Sequence, residues 1–189
     1  MLNQMIAALG IPRVESKPKG LGISPRQLER GDFFVMLRAA FVERQVPLCL
    51  VELEFTESSA MECSASVLAE IAALRADGMS IAIDDFGTGY SNIARLRAMP
   101  LDRVKLDPSL IADIDTSETA RNVVQAVIQL IKGVGAEIVA EAVETVAQAD
   151  ILRAMGCETV QGFIFAHPMF EEDYVAWIRN AERGDRSVA

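Results

Sequence analysis

A chain of 189 residues, 51% of them hydrophobic, can bury a substantial core in one domain and does not have the composition of a disordered protein. Its formal net charge of −9 argues against binding to a nucleic-acid polymer through a broad basic surface. The sequence has no apolar run of membrane-spanning length and no CxxC pair among its three cysteines. We therefore expect a cytoplasmic protein without a membrane segment or a disulfide framework.

Six strand–helix units follow one another along the chain. Short aliphatic runs predict strands at Gly20–Ser24, Leu48–Phe55, Met79–Asp85, Arg103–Asp107, Glu137–Val143 and Thr159–Phe165. Helical periodicity predicts helices at about Gly31–Arg44, Glu62–Ala76, Ser91–Met99, Ser117–Gly133, Val146–Met155 and Glu171–Arg183. This alternation is typical of βαβ units with a mostly parallel sheet, either an open doubly wound sheet or a (β/α)₈ barrel. No GxGxxG or P-loop motif favours the open sheet.

Acidic, lysine and amide side chains lie at or just beyond the ends of five of these strands. In chain order they are Glu54, Glu57, Asp84, Asp85, Lys105, Asp107, Glu141, Glu144 and Gln161. A single carboxylate in such a place usually stabilises the N-terminus of the following helix through its negative charge. The joint pattern is different, because the carboxyl ends of parallel strands meet at one face, where active sites form. We therefore expect one acidic mouth.

The adjacent carboxylates of Asp84 and Asp85 should repel each other, since each raises the cost of ionising its neighbour. Divalent cations would relieve this repulsion, and oxygen ligands without sulfur or imidazole suit Mg²⁺ or Mn²⁺. A neighbouring lysine such as Lys105 suits the orientation of a water molecule or a phosphate oxygen. These groups predict metal-assisted phosphodiester hydrolysis.

Five motifs carry a resemblance to a known family. They are ELEFTES, IDDFGTGYSN, DRVKLDPSL, IVAEAVET and QGFIFAHP, in this order. Together they closely resemble the EAL domain, the bacterial phosphodiesterase family that cuts cyclic di-GMP. The resemblance covers about residues 21–178 of what we take to be a single domain over residues 1–189. It implies a TIM-like barrel with an antiparallel first strand, and hydrolysis to linear pGpG with two Mg²⁺ or Mn²⁺ ions.

The resemblance also implies roles for individual residues. Glu54 would be a metal ligand, Asp84 would bridge two metals, and Asp85 would bind the second. Lys105 would hold the attacking water, and Glu141 would be the general base or an outer acid of the metal site.

Other residues would support this site by resemblance. Glu57, Asp107, Glu144 and Gln161 would lie behind the metal ligands, and Glu57 would also steady the loop after Asp85. That loop resembles the family's regulatory and dimerising segment, so we expect a homodimer or a protein partner to bind through it. Its residues are Phe86, Gly87, Thr88, Gly89, Tyr90 and Ser91.

The sequence departs from the family pattern in its first part. No Glu-Ala-Leu motif occurs, and Gly22 stands where the family has a metal-binding Asn. The Arg that follows the family motif and helps to hold the nucleotide is also missing. Only six of eight expected strands are predicted, so we expect an incomplete barrel that lacks the first two. Its open edges would lie beside the first and last predicted strands, one of them covered by Met1–Ile11 as a helix or by a second chain.

Three hypotheses follow. The first is a degenerate EAL domain that binds cyclic di-GMP weakly or not at all and acts as a regulatory or protein-interaction module. The second is an active Mg²⁺- or Mn²⁺-dependent phosphodiesterase, with water or a residue from another chain completing the site. The third is a fragment of a larger enzyme. Formation of pGpG distinguishes the first two.

Overall fold

The computed structural model describes residues 19–28, 30–89, 92–167, 170, 172–174 and 177. Its strands are β1 Lys19–Ile23, β2 Val51–Thr56, β3 Ser80–Phe86, β4 Arg103–Leu106, β5 Glu137–Ala140 and β6 Thr159–Val160. Its helices are α1 Pro25–Leu28, α2 Phe33–Glu43, α3 Glu57–Glu62, α4 Ala65–Ala76, α5 Ile93–Ala98, α6 Pro108–Ile111, α7 Glu118–Gly133 and α8 Val146–Ala154.

The six strands form one sheet in the order in which they occur along the chain, and every neighbouring pair is parallel. This arrangement confirms the prediction of six strands in a parallel sheet with helical connections. It is the arrangement expected of a TIM-barrel-like α/β fold, in which each connection crosses back to start the next parallel strand.

The two faces of the sheet differ in chemistry because side chains alternate along each strand. One face is apolar and carries fully buried residues such as Leu53, Ile81 and Val104. These pack in one core cluster with helix residues such as Ile71 and Ile128. The alternate positions, beginning with Glu52 and Glu54 on β2, carry the charged side chains. The hydrophobic effect therefore holds the helices against one face and leaves the other for polar groups.

Two element boundaries were predicted wrongly in the first half of the chain. Residues 48–50 form a 3₁₀ turn rather than the start of β2, and Leu50 N–H donates to the Pro47 carbonyl at 3.0 Å. The helix predicted over 62–76 begins at Ala65 as α4, after its Ser64 cap, and the short helix α3 that precedes it, capped by Thr56, was not predicted.

The last two strands are shorter than predicted. β5 ends at Ala140 and β6 at Val160, so Glu141 and Gln161 follow strands rather than lie within them. The chain turns after Glu141 through Ala142, which has a left-handed φ of 51°.

Two predicted helices fall largely or wholly on residues outside the described part of the chain. Of the helix predicted at 171–183, residues 172–174 and 177 are helical. The N-terminal helix predicted at 1–11 lies outside the described residues. No helix in the described part of the chain is long and apolar enough to cross a bilayer.

Candidate functional site

Four of the predicted site residues form one group, in which three carboxylates surround the Lys105 ammonium. Its Nζ lies 2.8 Å from Glu141 Oε1, 3.1 Å from Asp84 Oδ1 and 3.2 Å from Glu54 Oε1. The four side chains belong to β2, β3, β4 and the residue after β5, so the parallel sheet brings them together from positions far apart in the sequence. We call this group the Lys105 cluster.

Two glycines on β1 leave room beside the Lys105 cluster because they have no side chains. A Cβ on Gly20 would lie 2.3 Å from Glu54 Oε1, so the carboxylate folds against β1 only because residue 20 has no side chain. Gly22 pairs with Glu54 in the sheet register, and a Cβ there would meet nothing within 4 Å. The position at which the resemblance predicts Asn is therefore open space next to Glu54 in the sheet register.

Opposing effects act on the pKa of Lys105. Burial lowers it, but hydrogen bonds and charge from Glu141 and Asp84 raise it more, and the net pKa lies well above the ordinary value. The side chain is only 13% exposed. We therefore expect Lys105 to carry its positive charge at neutral pH.

Asp85 lies outside the ion pairs of the cluster. Its backbone adopts φ 53°, in the left-handed region that Asp and Asn tolerate better than most residues. Burial and the charges of Asp84 and Asp107 raise its pKa, and Lys105 only partly opposes them. Asp107 itself caps α6, its Oδ1 accepting the Ser109 N–H at 2.8 Å.

We expect Asp85→Asn to raise the melting temperature slightly at neutral pH. The raised pKa means that the folded state holds its proton more tightly than the unfolded state, so stability from this group falls as pH rises from the ordinary aspartate pKa through the folded pKa. The advantage of Asn should therefore vanish below the ordinary pKa, where aspartate is protonated in both states. Melting curves of both proteins across acid and neutral pH check this. A variant that melts below the wild type at neutral pH would contradict it.

Glu57 holds the loop that follows Asp85. This carboxylate is 2% exposed, and its Oε2 accepts the N–H groups of Gly87 at 2.9 Å and Gly89 at 3.1 Å. Thr88 Oγ1 donates to the Asp85 carbonyl at 3.0 Å within the same turn. The first part of the loop is thereby tied to α3, and Tyr90 and Ser91 lie outside the described residues.

Glu144 and Gln161 stand apart from the Lys105 cluster. Glu144 is exposed, and its backbone N–H donates to Gln148 Oε1 at 3.0 Å near the start of α8. The backbone of Gln161 bonds to Ala140 and Val143, while the residue lines a cavity along the polar face of the sheet. The structure thus gives both residues local hydrogen bonds and places neither in the ion pairs of Lys105.

A second charged layer lies one step nearer the start of the strands, and sequence reasoning missed it. Arg103 pairs with Glu52 and, at 3.0 Å, with Glu137, and Ser80 Oγ donates to Glu52 Oε2 at 3.0 Å. Each of Glu52 and Arg103 lies two residues before a member of the Lys105 cluster. This period of two was the available signal, since it places both layers on one face.

The cavity beside both layers has a volume of about 810 Å³. Aromatic side chains form much of its wall, among them Phe163, Phe165, Tyr174 and Trp177. The alternating phenylalanines of GFIF were the sequence signal for this wall. Charged groups on one side and aromatic rings on the other suit a ligand that is both polar and flat.

The Lys105 cluster is where the predicted divalent ions would have to bind. Carboxylate oxygens are the right chemistry for Mg²⁺ or Mn²⁺. Within the described residues, however, no three Asp, Glu, His or Cys side chains are arranged so that they could hold an ion. Gly22 offers no ligand, and the carboxylates converge on an ammonium. The residues as arranged therefore do not fit a metal centre.

The family is established by comparison with known proteins. The EAL domain family matches residues 1–168. The chain is 38% identical to the cyclic di-GMP phosphodiesterase PA2567 of Pseudomonas aeruginosa, and the match covers 84% of this chain and 27% of that protein. The chain spans 18% of another such relative, the cyclic di-GMP phosphodiesterase NbdA of the same organism.

Solved structures agree with this result. The phosphodiesterase PaMucR in complex with c-di-GMP superposes with a TM-score of 0.76 at 32% identity, over 83% of this chain and 64% of that one. A manganese and cyclic di-GMP complex of Klebsiella pneumoniae BlrP1 superposes with a TM-score of 0.73 at 30% identity, over 87% of this chain and 41% of that one. The chain belongs to the EAL domain family of cyclic di-GMP signalling, which includes phosphodiesterases.

Proposed function

We propose that this EAL domain does not hydrolyse cyclic di-GMP and serves as a regulatory or protein-interaction module in cyclic di-GMP signalling. The observation that carries the proposal is the Lys105 cluster, where three carboxylates surround an ammonium while Gly22 leaves the neighbouring ligand position empty. The sequence also holds no Glu-Ala-Leu motif to supply another acid.

Weak metal binding would be enough to remove activity. Two-metal phosphodiester hydrolysis depends on ions about 3.5–4 Å apart that clamp the attacking and leaving oxygens. An error of about 1 Å in the position of a reacting group can cost on the order of a hundredfold in rate. Asp84, Asp85 and Glu141 are present, but we propose that they no longer act together as a catalytic set.

We expect purified protein to form no detectable pGpG from cyclic di-GMP with Mg²⁺ or Mn²⁺. Chromatography of the reaction over hours, beside an active EAL phosphodiesterase, makes the measurement. Gly22→Asn supplies a side chain where there is free space, and we expect it to leave the protein inactive because the other ligand is still lacking. Metal-dependent turnover that disappears in Glu141→Ala would overturn the proposal.

The loop from Phe86 to Ser91 is the proposed contact for a protein partner or a second copy. Support comes from the Glu57 hydrogen bonds, which fix the backbone of Gly87 and Gly89 and so hold one shape for a partner to recognise. We propose that this domain binds cyclic di-GMP weakly or not at all.

The second candidate is an active phosphodiesterase. It is favoured by the relatives named cyclic di-GMP phosphodiesterases and by the retention of Glu54, Asp84, Lys105 and Glu141 within one mouth. In this case water or a residue from another chain would complete the metal site. Turnover that rises steeply with protein concentration would favour completion by another chain.

A further inference from the structure

The charges of the Lys105 cluster are held together by ion pairs. A lysine ammonium has three N–H donors and no acceptor. Here three different carboxylates lie 2.8, 3.1 and 3.2 Å from Nζ, and Nζ donates a hydrogen bond to Asp84 Oδ1. Glu54, Asp84 and Glu141 are each less than 30% exposed, so solvent screens the cluster only in part.

A divalent ion would have to disturb this arrangement. Mg²⁺ binds oxygens at about 2.0–2.1 Å in near-ideal octahedral geometry. Carboxylates that now point at Nζ from 2.8–3.2 Å would need to turn toward the ion. The Lys105 ammonium, only 13% exposed, would then lose its partners in a place where burial of an unpaired charge is costly.

We propose that Lys105 is the built-in counter-ion of this mouth, so that its ammonium organises Glu54, Asp84 and Glu141 in the role that a divalent cation would fill. The mouth then keeps its shape in the absence of metal, and an added ion competes with Lys105. The inference rests on the proposed loss of the metal centre, but its readout is stability rather than activity. Formation of pGpG would count against the proposed function, whereas the melting data below decide the counter-ion role separately.

The test compares the wild-type chain with Lys105→Met, which keeps most of the side-chain length and removes the charge. Melting is followed by circular dichroism in EDTA, in millimolar Mg²⁺ or Mn²⁺, and in NaCl of matched ionic strength. We expect the wild type to melt at the same temperature in all four. Lys105→Met should melt about 5 °C or more lower in EDTA, because three carboxylates lose their counter-charge. Mg²⁺ or Mn²⁺, but not NaCl, should restore part of this loss.

Lys132→Met is the matched control. Lys132 is an exposed lysine in the last turn of α7, so we expect its replacement to shift melting little and equally with and without metal. If Lys105→Met does not fold in EDTA, a cooperative transition regained with Mg²⁺, or in the double variant Lys105→Met/Glu54→Gln, supports the inference. Failure of both rescues overturns it. So does a Lys105→Met variant that melts like the wild type in EDTA, or a wild type that Mg²⁺ stabilises as much as the variant.

Discussion

Gly162→Ala is expected to lower the free energy of unfolding by about 3 kcal/mol. A Cβ on residue 162 would lie 2.2 Å from the Val143 carbonyl oxygen and 2.4 Å from its nitrogen. These are backbone atoms, so no side-chain rotation relieves the overlap. Val143 is fully buried, its N–H donates to the Gln161 carbonyl at 3.0 Å, and its own carbonyl accepts from Ile164 at 3.1 Å. Making room for the methyl group must disturb these bonds. Urea unfolding, with the shift read at constant m-value, measures the loss.

Gly22→Ala is the matched control for this change. It adds the same methyl group to another glycine at the sheet, where a Cβ meets nothing within 4 Å. We expect the free energy of unfolding to change by no more than about 0.5 kcal/mol, and to rise slightly because glycine weakens a strand. The segment that contains Val143 also contains Glu141, which pairs with Lys105. Gly162→Ala should therefore shift the NMR signals of Glu141. Equal stability of the two alanine variants would contradict the packing argument.

Glu57→Ala is expected to lower the free energy of unfolding by about 2–4 kcal/mol. The carboxylate is 2% exposed and accepts two backbone N–H groups, and a hydrogen bond to a charged group contributes about 1.5–3 kcal/mol. Glu57→Gln keeps an acceptor oxygen without the charge and should lose less. Hydrogen exchange gives a local readout, since the amides of Gly87 and Gly89 should exchange faster in Glu57→Ala.

Glu62→Ala controls for the loss of an acid from the same short helix. Glu62 is exposed at the end of α3, so we expect a change of less than about 0.5 kcal/mol and unchanged exchange at the loop. If Glu57→Ala leaves the exchange of Gly87 and Gly89 as in the wild type, Glu57 does not hold the loop. The same pair of variants can then be tested for partner or self association through this segment.

Sequence reasoning predicted element types well and element ends poorly. The period of two in runs such as SIAIDD marked β3 clearly, because burial of one face of a strand repeats every second residue. The start of the helix predicted over 62–76 was placed three residues too early and the short helix α3 before it was missed, since a hydroxyl residue such as Ser64 looks the same in sequence whether or not it caps a helix. Cys49 lies in an apolar run, a pattern typical of a core residue, but it is exposed on the 3₁₀ turn after Pro47.

The sequence by itself determined the family and the six parallel strands, and it placed Glu54, Asp84, Lys105 and Glu141 at neighbouring strand ends. Motif order and strand-end position suffice for this, because parallel strands deliver their ends to one face whatever their exact length. Only the tertiary structure decided what those residues do to one another. It turned Glu54, Asp84 and Glu141 toward Lys105, left Asp85 outside the ion pairs, and kept Glu144 exposed. Such pairing depends on differences of a few tenths of an ångström in the distance between side chains from different strands, and no local sequence pattern encodes these differences.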